Sequence, residues 1–337
     1  MPKTRPRTMH EFSDATGLSR PTVSKYFHDP RSVRASTRAR IERAMAELDY
    51  RPNFFALNQN RRRSKTVGIV VPQLLDPFYA EIVRRMEARA VAAGYWPVLL
   101  SSHGSADLEG RGIDTLRSLK VAGALVAPLG DASDAGRLAR LGAEVPVVLF
   151  DTDIAGDLAF VGTDNAQGIG RMVSHLCATG SPPCFLGFPP FNTTSRERRD
   201  AYERAMRAEG FEPLPVPAPA EGWDFERLGF EAATAALARG GFPSTTVLCA
   251  NDRLAIGVLA AAFAAGLRVG PGLDLRVAGH DDHPLSRFTC PALTTVSQDY
   301  AKLSEVALDT LLAMMDGRDA GPRSRHLPAT LIRRASA

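Results

Sequence analysis

A chain of 337 residues is longer than one hydrophobic core usually serves, so two or three domains are expected, and a hydrophobic content of 45% suits globular packing. The formal charge of +4 is unevenly divided: residues 1–65 carry 15 Lys plus Arg against 6 Asp plus Glu, and residues 66–337 carry 26 against 31. A basic head on an acidic body calls for a polyanionic partner at the head alone. The chain shows no uncharged apolar window of about 18 residues, no apolar run in MPKTRPRTMH and no Cys-x-x-Cys pair, so a cytoplasmic protein with reduced thiols at Cys177, Cys184, Cys249 and Cys290 is expected.

The first organised stretch is Met9 to His28, which the spacing resolves into two short helices joined at Gly17. Met9, Phe12 and Ala15 share one helical face, Gly17 supplies the positive φ of a tight turn, and Leu18 fills the corner. Ser19 caps the second helix, and Pro21 is tolerated in a first turn whose amides lack intrahelical partners. Val23 and Phe27 face inward, leaving Arg20, Thr22, Ser24 and Lys25 outside as a face of cations and hydroxyls suited to a major groove. Ser36 is expected to cap a third helix carrying Ile41, Ala44, Met45 and Leu48, which Tyr50, Arg51 and Pro52 end. NFFALNQ (residues 53–59) is too short to be stable alone, and a basic linker, Arg61 to Lys65, follows.

Beyond Thr66 the texture alternates. Apolar strands are expected at Val67–Val71, Trp96–Leu100, Ala124–Ala127, Val147–Phe150, Cys184–Phe188, Thr246–Ala250 and Leu275–Gly279, separated by amphipathic helices such as that of Ile82, Val83, Met86 and Ala90. This is the signature of parallel sheets covered on both faces, and about 270 residues of it imply two lobes with a cleft. Ligands in such sheets bind beyond the carboxyl ends of strands. Those ends lead into Asp76 to Tyr79, Asp151, Asn251 with Asp252, and His280 to His283. Rings beside carboxylates and an amide suit a small polar ring, although an Asp after a strand most often caps the next helix.

The stretches TMHEFSDATGLSRPTVSKYF, VRASTRARIERAMAELDYRPN, ANDRLAIGVLAAAFAAGLRVG and GHDDHPLSRFTCPALTTVSQDY resemble the lactose-repressor (LacI/GalR) family of bacterial transcription regulators along essentially the whole chain. The resemblance implies a helix-turn-helix head at 1–50, a hinge helix and linker at 51–65, and a two-lobed α/β body of the type I periplasmic-binding-protein kind at 66–337. Its first lobe is expected at about 66–163 and 296–323, and its second at 164–295 and 324–337. Double-stranded operator DNA, a small-molecule effector and a second copy of the chain are the implied partners, with neither membrane nor cofactor involved. Repression is the implied action, without catalysis.

Carried over position by position, Arg20, Pro21 and Lys25 match base-reading positions, and Thr22, Ser24, Ser32, Arg34 and Thr37 match phosphate-contacting ones. Ser19, His28 and, in the hinge, Asn53, Phe54, Ala56, Leu57 and Gln59 complete the implied DNA-binding set. The hinge departs from the family: Gln59 stands where a leucine usually wedges into the minor groove, so either Leu57 or a Phe inserts in a shifted register, or Gln59 reads without deep kinking. In the cleft the resemblance picks out Phe78, Tyr79, Asp151, Arg198, Trp223, Asn251 and Asp281. A sugar or sugar alcohol is the expected effector. The alternatives are a purine or other small polar metabolite, or a body of the solute-binding or sugar-processing class. The run His280 to His283 looks like a metal site on paper, but four consecutive residues cannot converge on one ion, and no metal is expected. No dinucleotide, P-loop or hydrolase motif accompanies Gly168 and Gly170, and EPLPVPAPA (residues 212–220) reads as an edge strand with its loop.

Overall fold

The computed structural model describes residues 5–52, 64–154, 156–188, 192–217 and 222–337, and the chain divides into two compact units, 1–65 and 66–337. In the head, α1 (Met9–Thr16) is capped by the Thr8 hydroxyl, which accepts from the Glu11 amide, and ends at Gly17 with φ +62°. Ser19 caps α2 (Arg20–His28), accepting from the Thr22 amide at 3.4 Å. The third helix, α3 (Ala35–Glu47), starts one residue before Ser36; Arg34 occupies the cap position without a side-chain bond, and Ser36 is exposed in the first turn.

Phe12, Val23, Ile41, Tyr26 and Tyr50 form the buried core of the head, with the Phe12 and Tyr50 rings stacked 4.3 Å apart. Tyr50 therefore does more than end a helix. Ala15 is exposed, and Ser13 is buried in its stead, its hydroxyl donating to the Met9 carbonyl at 2.8 Å so that no polar group is orphaned. The Arg40 guanidinium donates to the Thr16 carbonyl at 2.5 Å, placing a cation at the carboxyl end of α1.

Among the described residues the body holds two six-stranded sheets. The first has β1 (Thr66–Val71), β2 (Trp96–Ser101), β3 (Gly123–Val126), β4 (Val147–Phe150), β5 (Ala159–Thr163) and β11 (Ser324–Leu327), in the order β11-β5-β4-β3-β1-β2, all parallel. The second has β6 (Cys184–Leu186), β7 (Pro215–Val216), β8 (Thr246–Cys249), β9 (Arg276–Asp281), β10 (Thr294–Ser297) and β12 (Thr330–Ile332), in the order β12-β10-β9-β8-β6-β7, with only β12 antiparallel.

The first sheet is covered by α4 (Pro77–Ala92), α5 (Ala106–Ser118), α6 (Ala135–Glu144) and α11 (Tyr300–Met315). The second is covered by α7 (Asn165–Thr179), α8 (Thr193–Ala208), α9 (Phe225–Ala238) and α10 (Asp252–Ala264). Every residue of β1 is buried, as a central strand with both faces covered requires. The edge strand β2 leaves Trp96 61% exposed. Pro215 is held at the other kind of edge, in β7, where a missing amide costs no ladder bond.

The chain crosses between lobes after Thr163, after Ser297 and between Leu327 and Thr330. The second and third crossings fall later than the boundaries expected from sequence. Ser297 still pairs with Asp281 in the second sheet, and Ser324 to Leu327 complete the edge of the first. No helix among the described residues is long and apolar enough to cross a membrane.

Because Phe12 is fully buried in a core of five side chains, Phe12→Ala is expected to cost about 3–5 kcal/mol. A head this small has no reserve for that loss. Two-dimensional NMR is expected to show collapse of the head's dispersed signals while the melting temperature of the body stays unchanged.

Candidate effector cleft and nucleic-acid interface

The carboxyl ends of strands from both sheets face one cavity of about 60 Å³. Phe78 and Tyr79 come from the first turn of α4, Asp151 from the end of β4, Arg198 from α8, Trp223 from the loop before α9, Asn251 from the end of β8 and Asp281 from the end of β9. All seven line the cavity. Asp76, Phe188, Asn192, Thr194, Ser195, Phe225 and Gln298 line it too, none of them in the expected set. Asp76 was visible as a residue after a strand; the others stand in loops and at helix starts where sequence carries no periodic signal.

Arg198, 4% exposed, is the hub. Its Nε donates to Asn165 Oδ1 at 2.9 Å, Nη1 to the Ala250 carbonyl at 2.8 Å and Nη2 to Asp281 Oδ1 at 3.0 Å. Gln298 Nε2 also donates to that carboxylate oxygen, at 2.6 Å. Burial pushes the Asp281 carboxyl up, but Arg198, His280 and Gln298 bring it below its ordinary value, so it is a fixed anion. Its neighbour His280 is fully buried and pushed down to about 4 by burial and by Arg198. The ring is neutral, with Nδ1 3.0 Å from Asp281.

Asp151 is different. Burial raises its carboxyl to about 6 against the opposing pull of Arg198 and of the Tyr79 hydroxyl, which donates to Oδ2 at 2.8 Å. Asp151 and Asp281 both adopt positive φ, +65° and +117°, a strain of about 1–3 kcal/mol each that aims their carboxylates. Asn251 caps α10, its Oδ1 accepting from the Leu254 amide at 2.9 Å, which leaves its amide N–H group for the cavity. The structural role weighed for a residue after a strand and the lining role are thus both filled by one side chain.

Aromatic rings stand on both sides. Phe78 meets Tyr79 and Tyr300 edge-on at 5.0 and 5.5 Å, while Phe225 lies 5.7 Å from Trp223 and 4.7 Å from Phe188. Trp223 packs partly on the cores of both lobes, and a Cβ on Gly104 of the first lobe would meet its Nε1 at 2.2 Å. The run His280 to His283 does diverge: His283 accepts from the Leu285 amide, its own amide donates to Asp252, and Asp282 pairs with Arg334.

On the head, Arg20, Pro21 and Lys25 are exposed, and Thr22 and Ser24 are half-buried. The Ser32 hydroxyl donates to the carbonyls of Lys25 and Asp29, so it braces the end of α2. Ser19 and Thr22 hydroxyls bond each other at 2.8 Å. Arg34 is exposed and Thr37 half-buried at the start of α3. The His28 side chain and Asn53, Phe54, Ala56, Leu57 and Gln59 lie outside the described residues.

Fold and site together define a two-lobed ligand receptor carrying a helix-turn-helix head. Residues 8–53 match the lacI family of bacterial regulatory proteins, and residues 173–337 match the periplasmic binding protein-like domain. The chain is 29% identical to the ribose operon repressor of Escherichia coli K12 over 98% of this chain and 99% of that one. It is also 29% identical to the lactose operon repressor of the same organism, over 98% and 90%. Among solved structures, the lac repressor dimer bound to operator and the anti-inducer ONPF aligns with a TM-score of 0.83 at 27% identity, covering 98% of this chain and 99% of that one. The head thus matches the lacI family and the whole chain is similar to lacI-family repressors: it is a DNA-binding transcriptional regulator with an effector-binding domain.

Two outcomes test the cleft. Arg198→Ala leaves Asp281 buried without its cation and is expected to cost about 3–5 kcal/mol of unfolding free energy in urea. Asp151 has a folded pKa raised above its unfolded value, so its contribution is present below the unfolded value and is lost as pH rises through about 6. The stability gained by Asp151→Asn is therefore expected to grow between pH of about 4 and about 7; an equal gain at both ends would refute the shift.

Proposed function

We propose that the cleft binds an uncharged effector of the sugar or sugar-alcohol class, and that its occupancy sets the affinity of the α2 face for operator DNA. The observation that carries this reading is the convergence of Asp151, Asp281, Arg198 and Asn251 between rings from both lobes. Carboxylates accept from ring hydroxyls, while the guanidinium and the amide donate to them, and the rings cover the apolar faces of a sugar. Arg198, the arginine that lines the cavity, is already matched to Asp281, which disfavours a phosphorylated ligand. Relatives named for ribose and lactose operons support the sugar class.

The head is read as a dimeric repressor's. Arg20, Pro21 and Lys25 face the base edges, Thr22, Ser24, Ser32, Arg34 and Thr37 lie along the backbone, Ser19 and His28 complete that face, and the hinge residues Asn53, Phe54, Ala56, Leu57 and Gln59 meet the minor groove either by inserting Leu57 or a Phe or by reading it through Gln59. Binding without turnover completes the reading, since the relatives named are repressors. A thermal-shift screen of the full chain with pentoses, hexoses, polyols, purines and sugar phosphates tests the cleft. Stabilisation by an unphosphorylated sugar or polyol is expected, and stabilisation by purines or phosphates alone overturns the class.

On DNA, Arg20→Ala is expected to lose about 1–3 kcal/mol of discrimination at one base pair in a binding-site selection. Steep loss of operator affinity with added salt is the second expected outcome. With about 6–10 phosphate contacts the fall is roughly 10³-fold or more between 50 and 200 mM.

A further inference from the structure

We propose that Arg253 latches the two lobes together through Asp76, setting how far the cleft opens before any effector arrives. Arg253 belongs to the second lobe, in the first turn of α10, and its Nη1 donates to Asp76 Oδ2 of the first lobe at 3.0 Å. The two side chains are 13% and 8% exposed, so this is a largely desolvated pair that exists only while the lobes are in contact.

Each partner is fixed within its own lobe. Glu226 on the neighbouring helix α9 accepts from Arg253 Nε at 2.8 Å and from Nη2 at 2.6 Å, a bidentate clamp, and the guanidinium lies 5.1 Å from the centre of the Phe225 ring. Asp76 caps α4, its Oδ1 accepting from the Phe78 amide at 3.0 Å. Closure therefore orders little that is not already ordered, and the cation brings its own counterion. These conditions favour a net attraction in a cross-lobe pair, because side-chain entropy and unpaired charge are the two costs that usually cancel it. Asp76 also lines the cavity, so a ligand hydroxyl that reaches its carboxylate competes with Arg253. That consequence rests on the cleft being the effector site, whereas the latch itself does not.

Trp223 supplies the readout. It is one of two tryptophans, it packs between the lobes against Gly104, and the other, Trp96, is solvent-exposed. In full-length Trp96→Phe protein without effector or DNA, acrylamide quenching and the emission maximum report on closure. Arg253→Met is expected to raise the quenching constant and shift emission to the red, with Arg253→Lys restoring part of the protection. Salt of about 1 M is expected to change the parent far less than Arg253→Met does, because a largely desolvated pair is screened much less than an exposed one.

Asp76→Asn keeps the cap and removes only the charge, so it serves if Arg253→Met does not fold. Unchanged quenching in a folded Arg253→Met or Asp76→Asn protein overturns the latch. An opening that appears without any change in sugar binding upholds the latch and counts against the role of the cleft instead.

Discussion

The buried guanidinium of Arg198 is the constraint on which the body's chemistry depends. A cation this deep in protein is tolerable only with matched acceptors, and it takes one each from α7, from the end of β8 and from the end of β9. Holding those three elements, it fixes the floor of the second lobe. It also decides the charge states around it. Asp281 is kept ionised and His280 neutral by the same positive centre, while Asp151, across the cleft and less favoured by it, is left to burial. Two carboxylates of one cavity thus answer differently to pH, one a permanent acceptor and the other able to lose or take a proton near neutrality.

Behind that floor the second lobe carries another buried acid. Asp252 accepts from Ser286, Thr295 and the His283 amide, and burial still raises its carboxyl to about 8. A Cβ on Gly279 would lie 2.1 Å from its Oδ1, so the strand carrying Asp281 approaches closely only because residue 279 has no side chain. Two residues on, Asp281 and Asp282 both adopt positive φ. Strain here is the cost of bringing a carboxylate to the cavity from a strand whose other residues point into core.

How much of this was legible from sequence follows the same physics. Strands buried on both faces, such as β1 and β4, announced themselves as unbroken apolar runs. The strands β5, β10, β11 and β12 did not: Thr163, Thr294, Ser324 and Thr330 are polar because these segments lie at sheet edges or at the crossings between lobes. That is why the second and third crossings were placed too early. Phe78, Asp151, Asn251 and Asp281 were reachable because the ends of parallel strands are where ligands bind, and Arg198 and Trp223 came from family resemblance. Gln298 escaped because its partner Thr163 is 135 residues away in the chain. Nothing local marks a residue whose role is defined by a distant one.

Gln298 shows how the cavity is joined to the movement of the lobes. Its Nε2 donates to Asp281 in the cavity, and its Oε1 accepts from Thr163 Oγ1 at 2.6 Å. Thr163 ends the strand at the first crossing and Gln298 stands at the second, so one amide ties two of the three crossing segments to a carboxylate that lines the cavity. Tyr300 Oη donates to the Asp281 carbonyl at 2.6 Å from the start of α11, which packs on the first lobe. The third crossing is tied to α7 through the Ala329 amide and the Gln167 side chain. A ligand that reaches Asp281 therefore meets a carboxylate already bonded to a crossing segment. In sequence, the hinge and basic linker stand between the head and β1, a strand inside the sheet of the first lobe. A shift of that lobe about these crossings would change where the carboxyl end of the linker is held, by hinging of packed units rather than by gradual deformation.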